Sequence, residues 1–292
     1  MKDTFNTDEQ EVLPVELLEN RILEGDCLYW LKRFPPNIID LAIASPPYGL
    51  LRDYLSEYQN NGFNFEGTAP EVFRVLKPGG VLVWIVNDSV LVPGMGKSAR
   101  PEREILYFVE DVGFNYHDRM ICEKNGSSFP SIKHKRFGQV SELMIIFTKG
   151  KIKCFNPIKD HTIKYRDSYG RSTKRQRDNT LKEYKWKIST NEMGLRTNIW
   201  RYETGGLGKS SKDLSAHDHP AIFAEKMAAD HIKAWSNRGD IVLDFLSGSG
   251  TTCCQAKKYG RRYIGIEIST KYAADSRKRI DGTAIVENDD DE

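Results

Sequence analysis

The sequence contains few cysteines, and their positions argue against two kinds of structure. Five cysteines occur among the 292 residues. Because their number is odd and no Cys-x-x-Cys pair is present, neither a zinc site nor a disulfide framework is indicated. His217 and His219 are two residues apart in the sequence, but no third possible ligand follows at a suitable spacing, which disfavours a metal site. We therefore expect a protein without bound metal that functions in a reducing cytoplasm.

Long apolar runs are missing as well. Runs such as 81–86 and 143–147 are far too short to span a bilayer, and the polar first ten residues do not resemble a signal peptide. Aromatic residues make up 11% and charged residues 29% of the chain, which is ordinary for a globular protein. The sequence therefore predicts a cytoplasmic protein with no membrane segment and a substantial core.

The net charge is small but unevenly distributed. The chain carries +2 overall, yet residues 149–187 contain 13 Lys or Arg and four Asp or Glu, a local charge of +9. Aromatic residues are interspersed among these cations, and such a stretch attracts phosphate groups. The alternative is a solvated, weakly ordered surface. The weak periodicity of this basic stretch predicts an inserted module with little regular structure.

A glycine-rich loop lies between a predicted strand and a predicted helix. The strand covers 241–245, the loop contains Gly248-Ser249-Gly250, and the helix covers 251–259. Glycine lets the backbone approach a ligand closely. Glu267 ends the next predicted strand, where a carboxylate can hydrogen-bond both hydroxyls of a ribose. No third spaced glycine and no following lysine are present, which disfavours NAD and ATP and leaves S-adenosylmethionine as the cofactor.

A second junction of strand and loop carries the sequence Ser45-Pro46-Pro47-Tyr48. Two prolines fix the backbone and remove two N–H donors, so the carbonyl groups are presented rigidly. The Ser45 hydroxyl and the Pro46 carbonyl could accept the two protons of an exocyclic amine, while Tyr48 could stack on an extruded base. Taken alone, the segment would be a plain proline turn. In a wound α/β sheet, however, ligands bind at the carboxyl ends of the strands, so both loops can share one cleft.

Together these segments resemble the DNA amino-methyltransferases of the permuted, or beta, group, in which the target-amine motif precedes the cofactor motif. The resemblance rests on 25–26, 40–48, 76–80, 142–147, 219–223 and 244–267. It implies an α/β, Rossmann-like methyltransferase fold with a mostly parallel wound sheet. The elements predicted from the pattern include a short helix over 70–77, closed by Pro78-Gly79-Gly80.

The resemblance also implies a set of site residues. The catalytic residues would be Ser45, Pro46, Pro47 and Tyr48, and the cofactor-binding residues Asp26, Phe223, Asp244, Gly248, Ser249, Gly250, Thr251 and Glu267. In this family the residue matching Asp26 binds the adenine amino group, Glu267 holds the ribose, and the segment around Phe223 covers the methionine moiety. The family usually has Asp-Pro-Phe before the glycine loop, whereas this chain has Asp244-Phe245-Leu246.

The basic stretch falls where the family keeps its target-recognition region. The predicted organisation is a target-amine half at 16–148, a target-recognition insert at 149–196 and a cofactor-binding half at 197–284. The candidate DNA contacts are Lys164, Arg171, Lys174, Arg175 and Arg177.

The predicted function is the transfer of a methyl group from S-adenosylmethionine to cytosine N4 in a short duplex DNA site. Serine at the first motif position is associated in the family with cytosine N4, whereas Asp or Asn is associated with adenine N6. The chemistry of a hydroxyl suits either base, so adenine N6 is the alternative. More distant alternatives are an RNA or protein-amide substrate and a DNA-binding regulator with a decayed site. The expected partners are duplex DNA and a cognate restriction endonuclease, and the expected state is a monomer or homodimer on the nucleoid.

Overall fold

The computed structural model describes residues 11–46, 63–87, 101–124, 135, 137–162, 169–187, 193–203 and 223–289. It divides into a large unit, formed by residues 1–156 and 198–292, and a small unit, residues 157–197. Three of the predicted site residues, Pro47, Tyr48 and Lys164, lie outside the described residues.

The elements follow one another in this order: β1 (Arg21–Glu24), α1 (Cys27–Leu31), β2 (Ile39–Ala44), α2 (Phe65–Val75), β3 (Leu76–Val86), α3 (Pro101–Leu106), β4 (Asn115–Lys124), β5 (Ser141–Thr148), β6 (His161–Thr162), β7 (Tyr169–Arg175), β8 (Leu181–Lys187), β9 (Met193–Gly194), β10 (Ile199–Tyr202), α4 (Glu225–Trp235), β11 (Ile241–Asp244), α5 (Thr251–Lys258), β12 (Arg262–Glu267) and α6 (Thr270–Asp281). A π-helical segment, Tyr107–Val112, continues α3. Among the described residues, no helix is long and apolar enough to cross a bilayer.

The large unit is built on an eight-stranded sheet with the order β1-β12-β11-β2-β3-β5-β4-β10. Among these strands only β5 runs antiparallel to its neighbours, so the predicted mostly parallel sheet is confirmed. The order reverses between β11 and β2, because β11 leads through α5 to β12 and β2 leads through α2 to β3. This reversal is the switch point at which wound sheets bind ligands.

The two strands at the switch point are fixed in register. Val242 lies level with Leu41, and Leu243 with Ala42. Near the start of β2, the Asp40 carboxylate accepts hydrogen bonds from the Ile241 N–H at 2.9 Å and from Lys77 Nζ at 2.7 Å. The carboxyl ends of β2 and β11 therefore lie side by side, as the two sequence motifs require.

One face of the sheet packs against α1, α2 and α3 in a single hydrophobic cluster. The residues from the strands include Leu243 of β11, Ala42 and Ala44 of β2, and Leu82 and Trp84 of β3. They alternate along each strand, as expected when one face is buried against helices. This core supports the edge of the sheet from which the two loops project.

Helix α2 is longer than the sequence predicted. It begins at Phe65 rather than at Pro70, with the Asn64 side chain capping the Gly67 N–H at 2.9 Å. Pro70 lies inside the helix and cannot donate to the carbonyl of Glu66, four residues earlier. The Tyr107 hydroxyl donates to that carbonyl at 3.1 Å instead. The prediction failed because Tyr107 is 41 residues away in sequence.

The small unit contains regular structure, so the prediction of little order in the basic stretch is wrong. β7 and β8 form an antiparallel hairpin, and β6 pairs with β9. At the hairpin turn, the Asp178 carboxylate accepts from the Thr180 N–H at 3.0 Å, and Asn179 adopts a left-handed backbone conformation with φ 66°. Local turn chemistry of this kind closes hairpins.

The small unit begins at residue 157, whereas the predicted insert begins at 149. Lys149 lies in the large unit, where its ammonium group donates to the carbonyls of Phe73 and Leu76 at 2.8 Å and to Asn37 Oδ1 at 2.9 Å. A cation at the carboxyl end of α2 is favoured by the helix dipole. This first cation of the basic stretch therefore stabilises the large unit.

Candidate cofactor and target-base site

The glycine loop follows β11 and is held against α6. Gly248 and Gly250 have φ angles of 52° and 77°, which other residues rarely adopt. A Cβ at Gly250 would lie 2.8 Å from Ser276 Cβ, so any side chain at this position would strike α6. The Ser276 hydroxyl donates to the Gly248 carbonyl at 2.8 Å. The loop is thereby fixed with its backbone close to α6.

Glu267 ends β12 and contacts the glycine loop directly. Its side chain accepts hydrogen bonds from the Gly248 N–H at 2.7 Å and from the Ser269 N–H at 2.8 Å. Burial raises the pKa of Glu267 to about 7, although these hydrogen bonds oppose the shift. Each carboxylate oxygen accepts more than one hydrogen bond, so Glu267 can hold the loop and still accept from hydroxyl groups.

Asp244 ends the neighbouring strand β11 and is 6% exposed. It accepts hydrogen bonds from the Leu246 N–H at 3.1 Å and from the Thr252 hydroxyl. Burial raises the pKa of Asp244 to about 6, and its charge contributes to the raised pKa of Glu267. Two buried carboxyl groups beside one loop form a site that favours a ligand with positive charge and hydroxyl donors.

Asp26 lies at the same edge of the sheet, beyond β1. The Gly25 N–H donates to the Glu267 carbonyl at 2.9 Å, which brings the two strand ends together. The Asp26 side chain caps α1 by accepting from the Tyr29 N–H at 2.9 Å. A carboxylate accepts about four hydrogen bonds, so this cap leaves capacity for an amino group.

Ser249 and Thr251 are held in place by Arg279, a residue that the sequence motifs did not identify. The Arg279 guanidinium donates to the Ser249 carbonyl and contacts the Thr251 hydroxyl at 3.4 Å. It also pairs with Glu225 of α4 at 3.5 Å. The signal for this role was a cation at helical spacing from Tyr272 and Ser276, on the buried face of α6. Arg279 therefore links the glycine loop to the start of α4.

Ser45 and Pro46 follow β2 directly, with Ser45 half-buried and Pro46 buried. They extend the strand that pairs with β11, so they project from the same edge as the glycine loop. Phe223 is half-buried and immediately precedes Ala224, the capping residue of α4. Phe245 and Leu246 stand at the two positions where the resemblance implies Pro and Phe. Phe245 is buried in the hydrophobic core, and Leu246 is partly buried and packs against that core.

The proposed DNA contacts lie in the small unit. Arg171, Lys174 and Arg175 are on β7, Arg177 is in the turn, and all four are exposed. Arg171 lies opposite Lys185, and Lys174 lies opposite Lys182. Like charges directly opposite each other destabilise a hairpin, and a polyanion would relieve that repulsion. Because side chains alternate along a strand, the two cation pairs lie on opposite faces.

Comparison with known proteins adds three findings. The model of the N6/N4 DNA methylase family matches residues 39–278. The chain is 42% identical over 259 residues to the orphan methyltransferase M.BamHII of Bacillus amyloliquefaciens, which covers 85% of this chain and 91% of that protein. Among solved structures, it is similar to the cytosine-N4-specific PvuII DNA methyltransferase, with a TM-score of 0.64 and 19% identity over 90% of this chain and 88% of that one.

A further solved structure, the complex of M1.HpyAVI with SAM, matches with a TM-score of 0.58 and 24% identity, covering 89% of this chain and 98% of that one. At these identities the two structures show the fold. It is the α/β fold of S-adenosylmethionine-dependent methyltransferases, as the sequence predicted.

Proposed function

The chain belongs to the N6/N4 DNA methylase family, and from this membership we propose that it methylates cytosine N4 in a short duplex DNA site. The general activity follows from the family: the protein is a DNA methyltransferase that uses S-adenosylmethionine. The base, the atom and the residue roles are the proposal. The observation that carries it is the pairing of β2 with β11, which sets Ser45 beside the strand end that opens the glycine loop.

The residues around the glycine loop fit S-adenosylmethionine. The conformation of Gly250 admits no side chain, and two buried carboxyl groups suit a ligand with cationic groups and ribose hydroxyls. We assign Glu267 to the ribose and Asp26 to the adenine amino group. Gly248, Ser249, Gly250 and Thr251 shape the loop against the cofactor, while Asp244, Leu246 and Phe223 border the methionine end.

We assign the target amine to Ser45 and Pro46. When bound, S-adenosylmethionine would supply a methyl group on a sulfonium sulfur. In-line attack by a nitrogen lone pair would form the N–C bond as the C–S bond breaks, and the cofactor would leave as the neutral thioether. The Ser45 hydroxyl and the Pro46 carbonyl accept the amine protons, which directs that lone pair toward the methyl group. The proton that leaves the nitrogen after the bond forms passes to water, either directly or through the Ser45 hydroxyl, which gives up its own proton in exchange. Pro47 and Tyr48 complete the motif, with Tyr48 stacking on the extruded base.

We favour cytosine over adenine because the family resemblance associates serine at the first motif position with cytosine N4. The PvuII enzyme, which has a similar fold, is named as cytosine-N4-specific. Adenine N6 is the second candidate, since the matching family includes both activities. For DNA we propose the hairpin of β7 and β8. A two-stranded ribbon fits the major groove of B-DNA, and cations on both faces would then meet the phosphates on both sides.

The proposal also covers the partners of the protein and its location in the cell. We propose that the protein works on the nucleoid in the cytoplasm, as a monomer or homodimer. A cognate restriction endonuclease in the same system is also part of the proposal.

The choice of acceptor is tested with purified protein and S-adenosylmethionine labelled in the methyl group. PCR-amplified genomic DNA carries no methylation, and in its double-stranded form it should accept labelled methyl groups. RNA and bulk protein, offered at equal mass, should not. Preferential labelling of RNA or protein would contradict the proposed substrate.

Cofactor affinity should depend on pH because Glu267 has a raised pKa. The pKa of the free protein's Glu267 is about 7, against an ordinary value of 4.5. Two ribose hydroxyls and a cationic ligand favour the ionised form, so binding should release a proton. The affinity should therefore rise with pH up to about 7, by up to roughly tenfold per pH unit. Calorimetry in buffers of different ionisation enthalpy measures the released proton.

The same titration with Glu267→Gln serves as the comparison. The variant carries no ionisable group at this position, so most of the slope should disappear, leaving the smaller contribution of Asp244. An unchanged slope would assign the proton to another group.

The hairpin proposal predicts a change in salt dependence. A variant in which glutamine replaces all four of these cations (Arg171, Lys174, Arg175 and Arg177) should bind every DNA duplex more weakly. The slope of log affinity against log salt should flatten by up to ~0.9 for each DNA phosphate that the variant no longer neutralises. Fluorescence anisotropy with a labelled duplex over a salt series measures both quantities.

The matched control neutralises four exposed cations of the large unit, Arg21, Lys32, Lys271 and Lys278. This variant has the same net charge as the hairpin variant. If both variants change the slope equally, the effect comes from overall charge, and the hairpin does not track the DNA backbone.

A further inference from the structure

Two aromatic side chains meet over the strand that leads into Ser45. Strands β11, β2 and β3 are consecutive in the sheet, and Ala44 of β2 lies level with Trp84 of β3. Phe245, one residue beyond β11, stacks on Trp84 with ring centroids 6.2 Å apart and planes within 15° of parallel. The contact therefore joins the two strands that flank β2.

The small side chain of Ala44 makes this contact possible. Neighbouring strands lie about 4.8 Å apart, so β11 and β3 are about 10 Å apart. Side chains from these outer strands reach each other only when the residue between them is small. Ala44 presents a single methyl group and is 1% exposed. The stacked rings thus lie at the residue immediately before Ser45.

Trp84 is fixed on several sides. Its indole N–H donates to Glu104 Oε2 at 2.7 Å. The rings of Phe65 and Phe108 lie 5.8 Å and 5.3 Å from its own. A ring held in this way cannot change rotamer without breaking this partly buried hydrogen bond. It therefore offers Phe245 a rigid surface.

Phe245 connects this surface to the glycine loop. It lies between Asp244 and Leu246, and the Leu246 N–H donates back to the Asp244 carboxylate at 3.1 Å. A displacement of the Phe245 ring would move this tight turn and with it the start of the loop. Phe245 thus fixes the backbone of this turn through its ring contact with Trp84.

We propose that Trp84 and Phe245 are a positioning pair, which fixes the distance between the strand end bearing Ser45 and the start of the glycine loop. The proposal rests on the assignment of the target amine to Ser45. We assign neither ring a contact with the reacting atoms. Their effect is on the alignment of two groups in methyl transfer, where a displacement of about 1 Å costs about 100-fold in rate.

The test compares Phe245→Leu with Phe114→Leu. Phe114 belongs to the same hydrophobic cluster and is also buried, but it precedes β4 at the opposite edge of the sheet. The single-turnover rate is measured on PCR-amplified genomic DNA at saturating cofactor and DNA, with the cofactor Kd and the Tm measured in parallel. Phe245→Leu should lower the rate at least tenfold and raise the cofactor Kd by a smaller factor. Phe114→Leu should lower the Tm similarly and leave the rate within about twofold.

If Phe245→Leu does not fold, two variants of Trp84, Trp84→Phe and Trp84→Leu, test the positioning role instead. Trp84→Phe keeps a ring and should retain most of the rate, whereas Trp84→Leu should lose it. Equal rates in the two Trp84 variants, or equal rates in Phe245→Leu and Phe114→Leu, would overturn the positioning role. Failure of the parent protein to methylate DNA would instead count against the proposed function, so the two failures are distinguishable.

Discussion

Replacing Ser45 with alanine is expected to slow methyl transfer by roughly 100-fold, because the amine loses the acceptor that directs its lone pair. Ser45 is half-buried and follows β2 at the switch point, and we assign it a contact with the target amine and none with the cofactor. Affinity for S-adenosylmethionine and for DNA should therefore stay close to that of the parent. Single-turnover labelling of DNA gives the rate, and calorimetry and anisotropy give the two affinities.

Ser141→Ala is a suitable control for this variant. Ser141 is a half-buried serine at the start of β5 and has no assigned role in the transfer. The Ser141→Ala variant should methylate DNA at the parent rate. A parental rate for Ser45→Ala would show that the target amine binds elsewhere. A loss of cofactor affinity equal to the loss of rate would assign Ser45 to cofactor binding.

Replacing Glu267 with alanine should weaken S-adenosylmethionine binding by roughly 1.5–3 kcal/mol, because two ribose hydroxyls lose a charged acceptor. The variant also removes the carboxylate that accepts from the N–H groups of Gly248 and Ser269, so the glycine loop should become less ordered. Calorimetry measures the affinity, and the Tm with and without cofactor shows how far binding still stabilises the fold.

Glu24→Ala separates this effect from a general loss of negative charge. Glu24 lies level with Glu267 on the adjacent strand β1, but it is exposed and accepts a hydrogen bond from the Thr270 hydroxyl. Its removal should change cofactor affinity little. Unchanged affinity in Glu267→Ala would remove this residue from the cofactor site.

The parts of the fold that the sequence predicted are those with local signals. The strand before Ser45 is a short apolar run followed by two prolines. The glycine loop lies between an apolar run and a helix, and Glu267 ends the next run. Because the carboxyl ends of parallel strands lie at one edge of the sheet, placing these segments required no knowledge of the complete strand order.

The parts that the sequence did not predict depend on contacts between distant residues. Pro70 can lie inside α2 because Tyr107 replaces the missing hydrogen bond. Lys149, the first cation of the basic stretch, donates to carbonyl groups of α2 and β3. Arg279 supports the glycine loop from α6. Tyr107 and Lys149 contact residues that are distant in sequence. The helical spacing of Arg279 indicates that it is buried, but it does not identify the loop that Arg279 contacts, so periodicity and motif spacing could not predict these contacts.

In the proposed function, Ser45 and the glycine loop form one site for methylating cytosine N4. Mass analysis of nucleosides tests it most directly, using DNA from cells that express the protein in a host without DNA methyltransferases of its own. The parent protein should produce N4-methylcytosine, and Ser45→Ala should produce little or none at equal expression. N6-methyladenine in place of N4-methylcytosine would contradict the proposed base, and equal N4-methylcytosine from both proteins would contradict the proposed site.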